Sequence, residues 1–162
     1  MDDFAIYDLP LLAGTVGISP IPGRTRHYPA DFDRLIDWGP DAVVTMTTPE
    51  ELLRKGAQSL GRDLAARGIG WHSLPVTDYG TPDDDVRARW PGVSTNLRKI
   101  LADGGRVLVH CFGGCGRSGM AILRLMVDAG EIPEAALARL RQVRPCAVET
   151  DGQYTWASGA VG

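Results

Sequence analysis

Cysteines, long apolar runs and metal-binding spacings are all scarce in this 162-residue chain, and each scarcity removes a class of protein. No apolar stretch approaches the roughly 20 residues that a membrane-spanning helix needs. Met1-Asp2-Asp3 is acidic where a secretory signal peptide would be basic. Three cysteines are too few for a disulfide framework, and together with that N-terminus they lead us to expect a reducing, cytoplasmic setting. Cys111-x3-Cys115 has no second pair of ligands beside it, so no metal and no cofactor is expected. Basic runs interleaved with aromatics are also missing, which removes nucleic acid as a partner. Neither a repeat nor a linker composition interrupts the chain, and we expect residues 1–162 to form a single domain.

What is present is an alternation of short β-branched runs and helical patterns. Residues 4–7 and 11–16 read as strands, 29–38 as a helix with Phe32, Leu35 and Ile36 on one face, and 41–47 as a buried strand. Thr48 is a good N-cap, with Pro49 at the first helical position and Glu50 and Glu51 in the first turn. That helical pattern is interrupted near Gly56 and Gly61. A strand over 69–76 leads into a polar loop carrying Asp78, Asp83, Asp84 and Asp85, and a helix over 86–103 follows. After the strand at 106–110, helices are expected at 117–129, 133–143 and 149–156. This order predicts an α/β fold: a central, mostly parallel sheet flanked by helices on both faces, with ligands held at the carboxyl ends of its strands.

The densest chemistry lies in His110-Cys111-Phe112-Gly113-Gly114-Cys115-Gly116-Arg117-Ser118, between the 106–110 strand and the next helix. Three glycines allow backbone N–H groups to turn inward, and the segment from Arg106 to Arg144 holds six arginines against three acids, so an anion is favoured there. One reading is phosphate-ester chemistry by a cysteine nucleophile. Inward N–H groups, a helix N-terminus and Arg117 would stabilise a Cys111 thiolate, while the planar Arg117 fork would hold two phosphoryl oxygens. A second reading takes Gly114-x-Gly116-x-x-Gly119 as a dinucleotide fingerprint, but two helices and the chain end follow where a further strand is required. A third treats the segment as a glycine-rich turn around a buried, inert cysteine, the reading also given to Cys146.

The same residues resemble the His-Cys-x5-Arg-Ser/Thr signature of cysteine-dependent protein tyrosine and dual-specificity phosphatases. More narrowly, the loop together with Asp78-Tyr79-Gly80-Thr81-Pro82-Asp83 and the 147–154 segment looks like the cyclin-dependent kinase-associated phosphatase branch. The resemblance implies a dual-specificity-phosphatase-like fold and a phosphoprotein phosphatase working without a cofactor. Its residues would be Cys111 as nucleophile, Arg117 and the loop from Phe112 through Gly113, Gly114, Cys115 and Gly116 as phosphate binders, and Asp78 as general acid and base. Ser118 would assist the departing sulfur, His110 would orient the loop, and Gln153 would orient water unless it merely faces solvent. A phosphorylated protein is the implied partner, with a kinase as the branch's suggestion. Asp83, Asp84 and Asp85 are better read as an acid cluster at a helix N-terminus than as the catalytic acid.

Alternatives stay open. A phosphoinositide or other small phosphomonoester would use the same mechanism, although no lysine lies between Cys111 and Arg117 to favour a highly charged head group. A non-catalytic phospho-binding module would need none of the intact catalytic set. Cys115 is a departure from the branch. One reading makes it a resolving thiol that links to oxidised Cys111; a span of only three intervening residues in a tight loop speaks against that geometry, and the sequence leaves the question open.

Overall fold

The computed structural model describes residues 3–159. The acidic start, Met1-Asp2, lies outside them. Five strands form one sheet: β1 (Tyr7–Leu11), β2 (Gly14–Ser19), β3 (Ala42–Thr45), β4 (Gly70–Ser73) and β5 (Arg106–His110), in the order β1-β2-β5-β3-β4. Only β1 runs antiparallel; β2, β5, β3 and β4 are mutually parallel. Seven helices complete the described chain: α1 (Tyr28–Trp38), α2 (Pro49–Arg54), α3 (Leu60–Ala65), α4 (Asp84–Ala102), α5 (Gly116–Asp128), α6 (Pro133–Val143) and α7 (Asp151–Ala157).

Central strand β5 shows why both faces need covering. Its side chains alternate, Val107 and Val109 into one core and Leu108 into the other, and all three are buried. The first core includes Val93, Leu97 and Leu101 of α4, Met120 and Leu123 of α5, Leu140 of α6 and Trp156 of α7. The second is filled by Phe32 and Leu35 of α1, Leu52 of α2, and Leu60 and Leu64 of α3. No helix among the described residues is long and apolar enough to cross a membrane.

Local rules account for most helix ends. Thr48 Oγ1 accepts from the Glu51 amide and the Glu51 side chain returns to the Thr48 amide, a capping box that starts α2. Asp83 caps α4 by accepting from Val86 N at 2.9 Å, and Asp84 and Asp85 occupy the first turn, as the acid-cluster reading expects. The start of the chain differs from expectation. The first strand falls at Tyr7–Leu11 rather than 4–7, and Leu12-Ala13 forms a tight turn, with Leu12 at φ 53°, inside what reads as a single strand. Pro10 is tolerated in β1 because an edge strand has one unpaired side.

Candidate active site

The loop from Cys111 to Cys115 leaves the carboxyl end of β5 and enters α5 at Gly116. Its shape follows from one close approach. Gly114 has φ +74°, and a Cβ there would lie 2.6 Å from Pro20 N, so the turn admits only glycine. The loop carbonyls are engaged on its outer side. Phe112 O accepts from Ile21 N at 3.0 Å and from Arg24 Nη1 at 2.8 Å, while Arg144 spans Gly113 O and Gly114 O, each at 2.9 Å. Among the described residues, the amide N–H groups of Phe112, Gly113, Gly114 and Cys115 meet no acceptor. Orphan amides in succession beside a helix N-terminus form a cradle for an anion.

Cys111 is buried, and its Sγ lies 3.1 Å from Ser118 Oγ. Arg117 is buried as well. Its Nη1 donates to Glu51 Oε1 at 2.7 Å and to Val76 O at 2.9 Å, and its Nη2 donates to Glu51 Oε2 at 2.9 Å. The Nε–H has no partner among the described residues, and Asp78 Oδ1 lies 3.4 Å from Nη2. Glu51 therefore occupies one edge of the guanidinium, and the Nε/Nη2 edge is left for a second anion. Burial opposes the charge on Arg117, but the Glu51 hydrogen bonds, with the neighbouring Cys111 and Asp78, outweigh it and raise its pKa. Burial likewise disfavours the Glu51 carboxylate, yet hydrogen bonds from Arg117 and Thr48 hold its pKa below the ordinary value.

Behind Cys111, a chain of hydrogen bonds fixes His110. Trp71 Nε1–H donates to Thr45 Oγ1 at 2.8 Å, Thr45 Oγ1 meets His110 Nε2 at 2.8 Å, and His110 Nδ1 faces Cys111 O at 3.0 Å. With a carbonyl at Nδ1 and a hydroxyl at Nε2, the neutral ring protonated on Nδ1 satisfies every partner. Complete burial agrees, pushing the His110 pKa down from 6.5 to about 4. This geometry suits an orienter of the loop and offers no route for His110 as a base.

Asp78 stands across the opening on the segment between β4 and α4, exposed, its Oδ1 accepting from Tyr79 N at 3.0 Å. Together Asp78, Cys111 and Arg117 line a pocket of about 240 Å³, with Arg24, Arg144 and Glu149 around it. Gln153 is fully buried rather than solvent-facing. Its Oε1 accepts from Glu149 N at 2.8 Å and its Nε2 donates to Gly80 O at 3.2 Å, so it ties α7 to the acid-bearing loop.

Two cysteine expectations are corrected. Cys115 is disulfide-bonded to Cys146, with Cα atoms 5.1 Å apart, and Cys111 is the free cysteine. A link from Cys115 to Cys111 is therefore replaced by one to a residue that the sequence presents as packing. Sequence reasoning also misses Glu51, Arg24 and Arg144 as members of the site. The capping-box pattern marks Glu51 as structurally engaged, but nothing local in the sequence ties it to an arginine 66 residues away.

Residues 22–156 match the family model PTP-SAK, a Swiss Army Knife protein, DSP-PTPase phosphatase domain. The chain belongs to that family and is an enzyme of the protein tyrosine/dual-specificity phosphatase class. Within the class it sides with the kinase-associated branch: cyclin-dependent kinase inhibitor 3 of Mus musculus is 30% identical over 148 residues, covering 87% of this chain and 69% of that protein. The solved structure of kinase associated phosphatase (KAP), with its catalytic-site cysteine replaced by serine, superposes with a TM-score of 0.83 at 25% identity, covering 97% of this chain and 93% of that one. Tk-PTP in its active form gives a TM-score of 0.65 at 28% identity, with 85% of each chain covered.

Proposed function

We propose that this chain hydrolyses phosphoproteins in two displacements through a cysteinyl-phosphate on Cys111. The observation that carries the reading is the convergence on one pocket of Cys111, of Phe112, Gly113 and Cys115 with their orphan amides, of Arg117 with its open Nε/Nη2 edge, and of Asp78. In the first displacement the Cys111 thiolate forms an S–P bond as the P–O bond to the substrate breaks, and Asp78 in its acid form protonates the leaving oxygen. The loop amides and Arg117 bind the equatorial oxygens, whose charge is greatest in the transition state. In the second, water attacks phosphorus, the Asp78 carboxylate accepts its proton, and the S–P bond breaks. Ser118 Oγ, 3.1 Å from Sγ, donates a hydrogen bond to the departing thiolate. Gln153 acts by fixing Gly80, two residues beyond Asp78, and so positions the acid.

The names of the relatives, cyclin-dependent kinase inhibitor 3 and kinase associated phosphatase, make a phosphorylated kinase the first substrate to try. The decisive experiment compares wild type with Cys111→Ser on a generic aryl phosphate and on phosphotyrosine and phosphothreonine peptides. Wild type should turn over and the variant should fall by roughly 10⁴-fold or more, the scale of losing a nucleophile. Retained turnover in Cys111→Ser would falsify the assignment of the nucleophile.

A further inference from the structure

Cys115 is the last residue of the phosphate-binding loop, and Cys146 lies in the connection between α6 and α7. The disulfide between them is not an isolated crosslink. Two residues before Cys146, Arg144 holds Gly113 O and Gly114 O. Two residues after it, Val148 N donates to Cys115 O at 3.3 Å. Arg141 in turn fixes this segment from α6, donating to Ala147 O at 2.9 Å and Val148 O at 2.8 Å. Gly119 of α5 lies so close to the segment that an added Cβ would come within 2.9 Å of Ala147 Cα. Residues 144–148 thus form a strap against the outer side of the loop, joined to it by one covalent bond and three hydrogen bonds.

We propose that this strap is a positioning element for the phosphate loop, and that the Cys115–Cys146 disulfide fastens it according to redox state. The inference rests on the phosphatase reading above for its kinetic consequences. Three of the six residues from Cys111 to Gly116 are glycines, the residue type with the widest conformational freedom. A cradle of that composition binds an anion tightly only if its carbonyls are held outward before the anion arrives. Arg144 does this through hydrogen bonds alone; the disulfide adds a limit that exchange with solvent does not relax. A dithiol reductant opens the fastening by thiol–disulfide exchange. Two electrons and two protons convert the bond into the Cys115 and Cys146 thiols, and the dithiol closes to its own cyclic disulfide. The nucleophile takes no part in this step, because Cys111 is outside the pair.

The test uses wild type and Cys146→Ser, each with and without a dithiol reductant. KM and kcat are measured for an aryl phosphate, affinity is measured for inorganic phosphate, and mass spectrometry verifies the Cys115–Cys146 peptide in unreduced wild type. Unreduced wild type should bind phosphate best. Reduction should raise its KM and weaken phosphate binding by about tenfold, in line with the cost of small displacements in a binding constellation. Reduced Cys146→Ser should match reduced wild type. A reductant that merely restores oxidised Cys111 would raise kcat and leave KM unchanged, so the KM shift separates the two effects. If reduction lowers the melting temperature while KM and phosphate affinity stay constant, the bond stabilises the fold only and the proposal is wrong. Should wild type fail to hydrolyse any phosphate ester while its phosphate affinity still follows redox state, the strap stands and the phosphatase reading falls.

Discussion

On one wall of the pocket, the loop from Cys111 to Cys115 is tied at each of its carbonyls, fastened to Cys146 by a disulfide and backed by a buried arginine whose side chain is 2% exposed. On the other wall Asp78, 60% exposed, rides on a segment held by the Thr77–Gly80 turn, by Gln153 and by an Arg87 bond to Pro82 O. The contrast follows from what each wall meets. The phosphoryl group is the same in every substrate, so its charge is best met by dipoles fixed in advance. In the proposed mechanism the leaving group changes from one substrate to the next, and Asp78 as its proton donor needs only reach and access.

Breaking the rigid wall should cost most. Arg117→Lys replaces a fork by a point charge and leaves Glu51 without its paired donors, and we expect turnover on an aryl phosphate to fall by about 10²–10³-fold, the scale of losing an oxyanion donor. A variant within about threefold of wild type would show that the loop amides bind the anion without Arg117. On the open wall, Asp78→Asn should lower kcat by about 10²-fold with KM little changed, and the deficit should shrink for aryl phosphates with better leaving groups. Equal deficits across leaving groups would take the acid role away from Asp78. Between the walls, Gln153→Ala should reduce kcat by about tenfold through misplacement of the acid loop, and an additive loss with Asp78→Asn would show that the two act separately.

The smallest effect near neutral pH concerns the rigid wall's titration. His110 has a folded pKa of about 4 against 6.5 when unperturbed, so between these values the unfolded chain binds the extra proton and stability rises with pH. His110 should therefore contribute fully above pH 6.5 and lose up to roughly 3 kcal/mol as pH falls towards 4. Glu51, whose pKa is lowered, extends the loss below the ordinary carboxylate range. Thermal unfolding from pH 8 to pH 4 checks this; His110→Asn should flatten the upper part of the slope, and an unchanged slope would assign it to other groups.

Legibility in the sequence divides along chemical lines. The strand–loop–helix order around Cys111, the Thr48 cap and the acid cluster at the start of α4 are contiguous signals, because the atoms that interact are a few residues apart, and the structure has all three; that Asp83 itself is the cap of a helix starting at Asp84 is a finding of the structure. The β-α alternation likewise exposes a mostly parallel sheet. The β1–β2 turn is obscured because Leu12-Ala13 carries no glycine or asparagine at its tight bend. The Glu51–Arg117 pair, the Arg144 clamp and the Cys115–Cys146 bond join residues 66, 30 and 31 positions apart, and such pairings come from packing rather than from spacing. Even the buried setting of Gln153 depends on the docking of α7 against the acid loop, which no periodicity reveals.

One carboxylate, that of Glu51, completes the start of α2 and also holds Arg117 of the candidate site. A mutational screen that scored growth or signalling would therefore find Thr48, a helix cap by every local criterion, behaving like a residue of the catalytic apparatus. Substitutions there would pass as folding defects in a stability assay and as loss-of-function alleles in a cell, through the one oxygen, Oε1, that Thr48 and Arg117 share.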